Sequence, residues 1–358
     1  MEHITDRLED RIIIKDGDDI FIRIHALSDW EDYDGISMDG ECKAGILHFF
    51  ERISYIKLQE LYDANNIYLV EEKEVYDLDK LYSNRFRYIG DVLGFFTALG
   101  LFDKVTLLNN NFNRNYRNVN HKPICTFILN SFLPSSEITL EQIKTIRANA
   151  TKYRFALLNR KKKRHRTELY NFLEKEDILK NSLSSIDCYY DKDSVIGDRW
   201  SFINLPHEIF TSSLVYIVTE TCFYTTEYSG YSCFITEKTD KAFSHMMPFI
   251  VVGNPFSLEH IRKFGFKTFN EVWDESYDKT VDDNERMKKI QDLIIEINSW
   301  SDTELKEVMP KIMEIVEYNY HRHNELKEIK NRQKTYTFDP TGGTYYNFCF
   351  LDDLLKGK

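Results

Sequence analysis

The sequence predicts an α/β protein of two units, each a parallel sheet wrapped by helices. Three observations lead there. At 358 residues the chain is long enough for two domains, each with its own core. In the first half, short β-branched runs alternate with stretches whose apolar residues recur at helical spacing. In the second half the stretch Phe234 to Pro255, FITEKTDKAFSHMMPFIVVGNP, reads as a capped helix leading into a buried strand.

Taken in order, Arg11 to Lys15 and Ile20 to His25 read as strands around the turn Asp16-Gly17-Asp18, and Tyr68 to Val70 as another. Phe86 to Leu99 has helical spacing in Ile89, Val92, Phe95, Phe96 and Leu99 and stops at Gly100; the strand-like Lys104 to Leu108 follows. Pro123 to Leu129 is a further strand and Ile138 to Ala148 a further helix. Ligand-facing loops in such a fold lie at the C-terminal ends of strands. Two loops there stand out, HALSDWEDYD from His25 to Asp34 and the Asn-rich Asn109 to Asn120, although a solvated polar loop is the plainer account of both.

The second half opens with a strand over Phe155 to Leu158, Asn159, and a basic run before a helix through Leu169, Phe172 and Leu173. Six of the seven residues from Arg160 to Arg166 are Lys or Arg. Such a run suggests nucleic acid, but a strand–basic loop–helix unit also aims its cations at the sheet edge where a diphosphate would sit. Leu214 to Thr219 is the next strand and ends in Thr219-Glu220-Thr221. An aromatic loop with Tyr224, Tyr228 and Tyr231 precedes the central stretch and suits a base- or sugar-facing wall. Helices over Asn284 to Ser299 and Asp302 to Ile329 follow, the second broken or kinked at Pro310.

Within the central stretch Thr236 is a helix N-cap, with Glu237 and Lys238 in the first turn. Ala242, Phe243 and Met246 turn that helix's apolar side to a sheet, His245 packs away from its N-terminus, and Phe249 to Val252 is a strand stopped by Gly253-Asn254-Pro255. A helix N-terminus offers free N–H groups and a positive dipole end, so it favours an anion. A glutamate beside it can accept from two vicinal hydroxyls such as a ribose presents, and an ammonium neutralises a diphosphate. The competing account is a solvated first turn.

The segments T-E-K, A-F-S-H, P and G-x-P, in that order and spacing, resemble the donor-binding segment of family 10 glycosyltransferases, the α-1,3-fucosyltransferase family. They also resemble related glycosyltransferase-like proteins of bacteria and large bacteriophages, in which a G-F-K-T-F run follows; here it is Gly265 to Phe269. The resemblance implies the GT-B architecture, two Rossmann-like domains with parallel sheets facing across a cleft. The expected division is 1–150 on the acceptor side, 151–335 binding the nucleotide sugar, and a tail 336–358 packing back on the first domain.

The resemblance further implies transfer of a sugar from a nucleotide-diphosphate donor, a GDP- or UDP-sugar, to an acceptor hydroxyl, with inversion and no required metal. Asn159 and a spaced arginine would reach the diphosphate; Arg166 is the match and Arg164 the alternative. Glu220 matches an acid near the donor pocket, with a helix cap or a partner for Lys238 as the equal alternative. Thr236, Glu237 and Lys238 would cap the helix, hold the ribose and serve the leaving group, with Tyr231 and Phe234 at the pocket wall. The family commonly has tyrosine where this chain has Phe234, so that hydroxyl is missing.

The family's first-domain base does not align here. Position at a strand end ranks Asp29 first, ahead of His25 and Asp32, with Asp91 and His121 next. The acidic triplets Asp16 to Asp18 and Asp191 to Asp193 read as turns.

Composition narrows the partners. The 47 Lys plus Arg against 58 Asp plus Glu give a formal net charge of −11, which argues against non-specific coating of nucleic acid. Six cysteines form no C-x-x-C pair, which predicts reduced thiols. A charged start, MEHITDRLEDR, without an apolar core and the lack of any membrane-spanning run predict a cytoplasmic protein. The expected acceptor is a glycan or a hydroxymethylated pyrimidine in phage DNA. The alternative is a non-catalytic nucleotide- or nucleic-acid-binding module that keeps the fold.

Overall fold

The computed structural model describes residues 13–23, 58–71, 87–109, 119–125, 140–141, 144–145, 152–159, 162–184, 212–225, 233–333, 336–337 and 347–356. Within it the chain divides into two compact units, Met1–Thr126 with Arg332–Lys358, and Phe127–Asn331. The first division thus falls at 126/127, against the expected 150/151.

The first unit is built on a seven-stranded sheet in the order β1-β2-β3-β4-β5-β11-β10. Strands β1 (Ile13–Asp16) and β2 (Asp19–Arg23) form an antiparallel hairpin, whose turn needs the left-handed φ of 60° that Gly17 adopts without a Cβ clash. From β2 the sheet runs parallel through β3 (Asn66–Glu71), β4 (Val105–Asn109) and β5 (Asn120–Cys125). β5 starts at Asn120, ahead of the apolar run expected from Pro123, because pairing with β4 begins where Asn120 meets Thr106. Beyond β5 the chain's end returns: β11 (Asn347–Phe350) pairs antiparallel with β5, and β10 (Tyr336–Thr337) with β11.

The central residues of β2, β3 and β4 are buried on both faces of this sheet, which is why they are apolar, while the strand ends, β1 and β5 carry polar residues. Ile20, Ile22, Ile67, Leu69, Val105 and Leu107 point to one face, where Leu61 of α1 (Leu58–Asp63) and Phe96 of α2 (Arg87–Ala98) meet them. The alternate residues Phe21, Tyr68, Val70 and Leu108 point to the other, with Ile124. Each such buried side chain contributes about 1.5–3 kcal/mol. Although β10 lies at the far edge, the Tyr336 ring packs 4.4 Å from Phe21 and its hydroxyl donates to Asp16 Oδ2 at 3.0 Å, so the sheet curls over that face. A short helix, α8 (Leu351–Lys356), ends the described chain and buries Leu351 and Leu354.

The second unit carries an all-parallel sheet in the order β7-β6-β8-β9. Its strands are β6 (Tyr153–Leu157), β7 (Ser182–Ser184), β8 (Ser213–Thr219) and β9 (Phe249–Val252). Helices α3 (Arg164–Lys175), α4 (Glu237–Ser244), α5 (Ser257–Lys263), α6 (Asp283–Ser299) and α7 (Asp302–Arg332) belong to it, α7 ending at the division between the units. α7 runs through Pro310 without the expected break. Pro310 and Lys306 are both exposed, so the Lys306 carbonyl that the proline cannot bond faces water.

The strand order fixes where a ligand would lie. From β6 the chain goes through α3 to β7 on one side, then crosses to β8 on the other side of β6. The order therefore reverses between β6 and β8, and in parallel sheets a crevice opens at the carboxyl ends of two such strands. Asn159 follows β6 there, and Glu220 follows β8.

Candidate functional site

Two helix N-termini border this switch point. α4 starts where Thr236, in extended conformation, accepts from the Lys238 backbone N–H through its side chain. Glu220 completes the cap: its carboxylate accepts from the Thr236 N–H at 3.0 Å, the Thr236 hydroxyl at 2.6 Å and the Thr239 hydroxyl at 2.6 Å. A carboxylate taken up this fully anchors the helix to the end of β8. Behind it Gly253 supplies the room, since a Cβ there would sit 3.4 Å from the Glu220 Cβ and 3.2 Å from Ser257 Oγ.

α3 starts differently. Its N-cap, Lys163, gives no side-chain cap, and its first turn carries no acid. The Lys163 ammonium instead donates to the Thr221 carbonyl at 2.9 Å. Arg166 lies buried with Nη2 donating to the carbonyls of Thr219 and Glu220, each at 3.1 Å. Asn159 is buried too, and its Oδ1 accepts from the Thr219 hydroxyl. His165 is fully buried, with Nε2 3.1 Å from the Glu220 carbonyl and its ring stacked on Phe223. Facing a carbonyl, Nε2 carries the proton.

These positions make the edge electropositive. Burial, then Arg166, Lys163 and Lys238, push the His165 pKa down to about 3, against the pull of the Glu220 backbone. Burial likewise lowers Arg166, with Glu220 opposing. Glu237 responds in the other sense: burial works to raise it, but Lys238 and Lys241 outweigh that and hold it below the ordinary glutamate range. Lys241 itself is pushed by burial down to about 8, with Glu237 opposing.

The side chains open to solvent form a smaller set. Glu237 and Lys238 keep 29% and 21% of their side-chain surface exposed and lie 3.0 Å apart. Lys238 also donates to Thr236 Oγ1 at 3.0 Å and Thr221 Oγ1 at 3.3 Å. Arg164 is exposed and stacks over the Tyr224 ring at 4.6 Å, while the Tyr224 hydroxyl donates to Glu168. At this edge Glu237, Lys238 and Arg164 are the more open side chains, and Arg166, Glu220, Asn159 and Thr236 are buried.

Of the residues singled out in the sequence, the structure brings Asn159, Arg164, Arg166, Glu220, Thr236, Glu237 and Lys238 to one strand edge. Phe234 is 2% exposed and belongs to the core. His245 is buried at the C-terminal end of α4, with Nδ1 3.0 Å from the Lys241 carbonyl. Asp16 to Asp18 form the β1–β2 turn, and His121 Nε2 lies 2.9 Å from Asn109 Oδ1. Tyr231, His25, Asp29, Asp32 and the triplet Asp191 to Asp193 lie outside the described residues, and Asp91 is placed on α2 by its backbone alone. Among the described residues no group of three or more His, Cys, Asp and Glu is arranged to hold a metal, and no helix is long and apolar enough to cross a membrane.

Sequence reading missed Thr221, Thr239 and the work of His165. The two threonines are ordinary residues whose roles come from tertiary neighbours, and His165 is hidden in sequence by the lysines and arginines around it. Compared with protein-family models, curated proteins and solved structures, the chain matches none.

Proposed function

We propose that the chain is a glycosyltransferase that takes a sugar from a nucleotide-diphosphate donor to an acceptor hydroxyl, in a GT-B arrangement of its two units. One observation carries the reading: the switch point of the second sheet coincides with two helix N-termini, buried Arg166 and the half-buried pair Glu237 and Lys238. Helix N–H groups, the α4 dipole and the cations suit a leaving diphosphate, and the Glu237 carboxylate, held ionised by its lysines, suits ribose hydroxyls. In this account Arg164 and Lys238 meet the departing charge, Arg166 adds buried positive potential behind them, and no divalent ion is required. The resemblance of T-E-K, A-F-S-H and G-x-P to the donor segment of family 10 glycosyltransferases supports the same assignment. The acceptor base comes from the stretch His25 to Asp34, with Asp29 first.

Incubation with a panel of GDP- and UDP-sugars, following free sugar release, tests the proposal. Slow hydrolysis of one donor is expected. Binding of nucleic acid with no donor turned over would favour the non-catalytic module.

A further inference from the structure

A buried clamp outside the proposed donor residues ties together the loops that leave β8 and β9. Arg286, on the first turn of α6, is 1% exposed and is the largest fully buried side chain among the described residues. Its guanidinium donates to the carbonyls of Phe223 at 2.5 Å, Thr280 at 2.9 Å, Val281 at 3.2 Å and Gly253 at 3.3 Å, and to Asp283 Oδ1 at 2.7 Å. It also lies 4.3 Å over the Phe223 ring. Asp283 in turn accepts from the Thr225 N–H at 3.0 Å and from its hydroxyl at 3.2 Å.

Phe223 and Thr225 belong to the loop that leaves β8, and Gly253 to the one that leaves β9. The near end of the first loop is gripped by the candidate site itself: Lys163 donates to the Thr221 carbonyl, Lys238 to the Thr221 hydroxyl, and His165 stacks on Phe223. The loop is therefore held at one end by the donor-facing cations and at the other by Asp283 and Arg286. A buried guanidinium with this many carbonyl partners is costly to place, since burying the charge works against its ionisation. Aliphatic packing would fill the same space without fixing the two loops against each other.

We propose that Arg286, oriented by Asp283, is a positioning residue that sets the 221–225 loop, and through Thr221 the Lys238 ammonium, for an anionic ligand at the β6–β8 edge. The inference rests on the donor-site reading for the ligand, and on the geometry alone for the loop. Arg286→Lys retains the charge but not the planar fork, so it cannot serve both loops and Asp283 together.

The test combines calorimetric titration of UDP and GDP with amide hydrogen exchange on the full chain, for the parent, Arg286→Lys, Lys238→Ala and the double variant. Arg286→Lys is expected to weaken the better nucleotide at least tenfold and to raise exchange at 221–225, with β6 and β9 protected as in the parent. In the double variant the two losses should fall short of their product, because displacing the loop has already removed the Lys238 contact. Asp283→Asn, a milder change, should repeat the pattern and serves if Arg286→Lys does not fold. Multiplicative losses, or exchange raised evenly across the second unit, would overturn the positioning role. If the parent binds neither nucleotide, the donor reading and the ligand half of the inference fall, and the local exchange pattern still decides the loop half.

Discussion

The first unit has a mixed sheet with a parallel centre and the second an all-parallel one, and they bury different things. In the first, the described buried polar residues are Thr106 and Asn109, and none is charged. In the second, Arg166, Glu220, Asp240, Lys241, Glu275, Asp278, Arg286 and Lys330 are buried, together with four histidines, and Arg166, Glu220 and His165 meet at the carboxyl ends of β6 and β8. A buried charge costs several kcal/mol unless it is paired and hydrogen-bonded, so a fold gains little by collecting them. The contrast teaches that the second unit holds buried charge in its interior where the first does not, and the β6–β8 edge is where the proposed site draws on it.

The largest effect should come from removing the acid at the centre of that edge. Glu220→Ala strips the acceptor from Thr236 N, Thr236 Oγ1 and Thr239 Oγ1 and leaves Arg166 without its nearest counter-charge. About 3–5 kcal/mol of stability should be lost. Asn109→Ala in the first sheet gives up the bond to His121 and should cost about 1 kcal/mol. Denaturant titrations of the two variants compare the edges directly, and equal losses would erase the distinction.

Catalysis should divide along the same line. If the base lies in the first unit, Asp29→Asn should lower transfer by about 10² to 10⁴ while nucleotide affinity stays at the parental value. His25→Ala and Asp32→Asn are the companion variants. Parental turnover in all three would move the base elsewhere, His121 included.

Acid should act on the second unit. His165 and His260 are buried and neutral, with pKa values pushed down by burial, and then by neighbouring cations, to about 3 and about 4. The unfolded chain takes up these protons below the ordinary histidine value of 6.5, so this stability is present above pH 6.5 and is lost as pH falls towards the folded values. At pH 5 each histidine should cost about 2 kcal/mol. Glu275 and Asp278, raised by burial, work in the opposite direction, since they protonate earlier in the fold than in the unfolded chain. Melting curves from pH 7 to pH 5, for the parent and His260→Gln, should show the variant losing less. The smallest effect expected is that of excess chelator, which should leave nucleotide affinity unchanged; loss on EDTA and recovery on magnesium would give an acidic cluster a metal role.

Much of this arrangement was legible in the chain. The apolar, β-branched stretches Ile20 to His25, Tyr68 to Val70 and Lys104 to Leu108 announced strands, and Thr236 announced the start of α4. The basic run pointed at the edge where Arg166 meets the end of β8. What local patterning could not reveal was which charges turn inward. Arg166 is buried and Arg164 exposed although they lie two positions apart on one helix, because the Thr219 and Glu220 carbonyls that receive Arg166 come from a distant strand. The tail's return to the first unit was expected, but its form as two antiparallel strands, β10 and β11, was hidden, since two short strands after a long helix carry little periodic signal of their own. Arg286 reads in sequence as one more charge on an amphipathic helix.

The most direct measurement of the central claim is a calorimetric titration of GDP and UDP into the parent chain, Glu237→Ala and Lys238→Ala. The parent should bind one of the two nucleotides. Each substitution should weaken that binding by about 1.5–3 kcal/mol with the unfolding transition retained, because both side chains keep a fifth or more of their surface in solvent and neither belongs to the apolar core. Unchanged affinity in both variants would contradict the account.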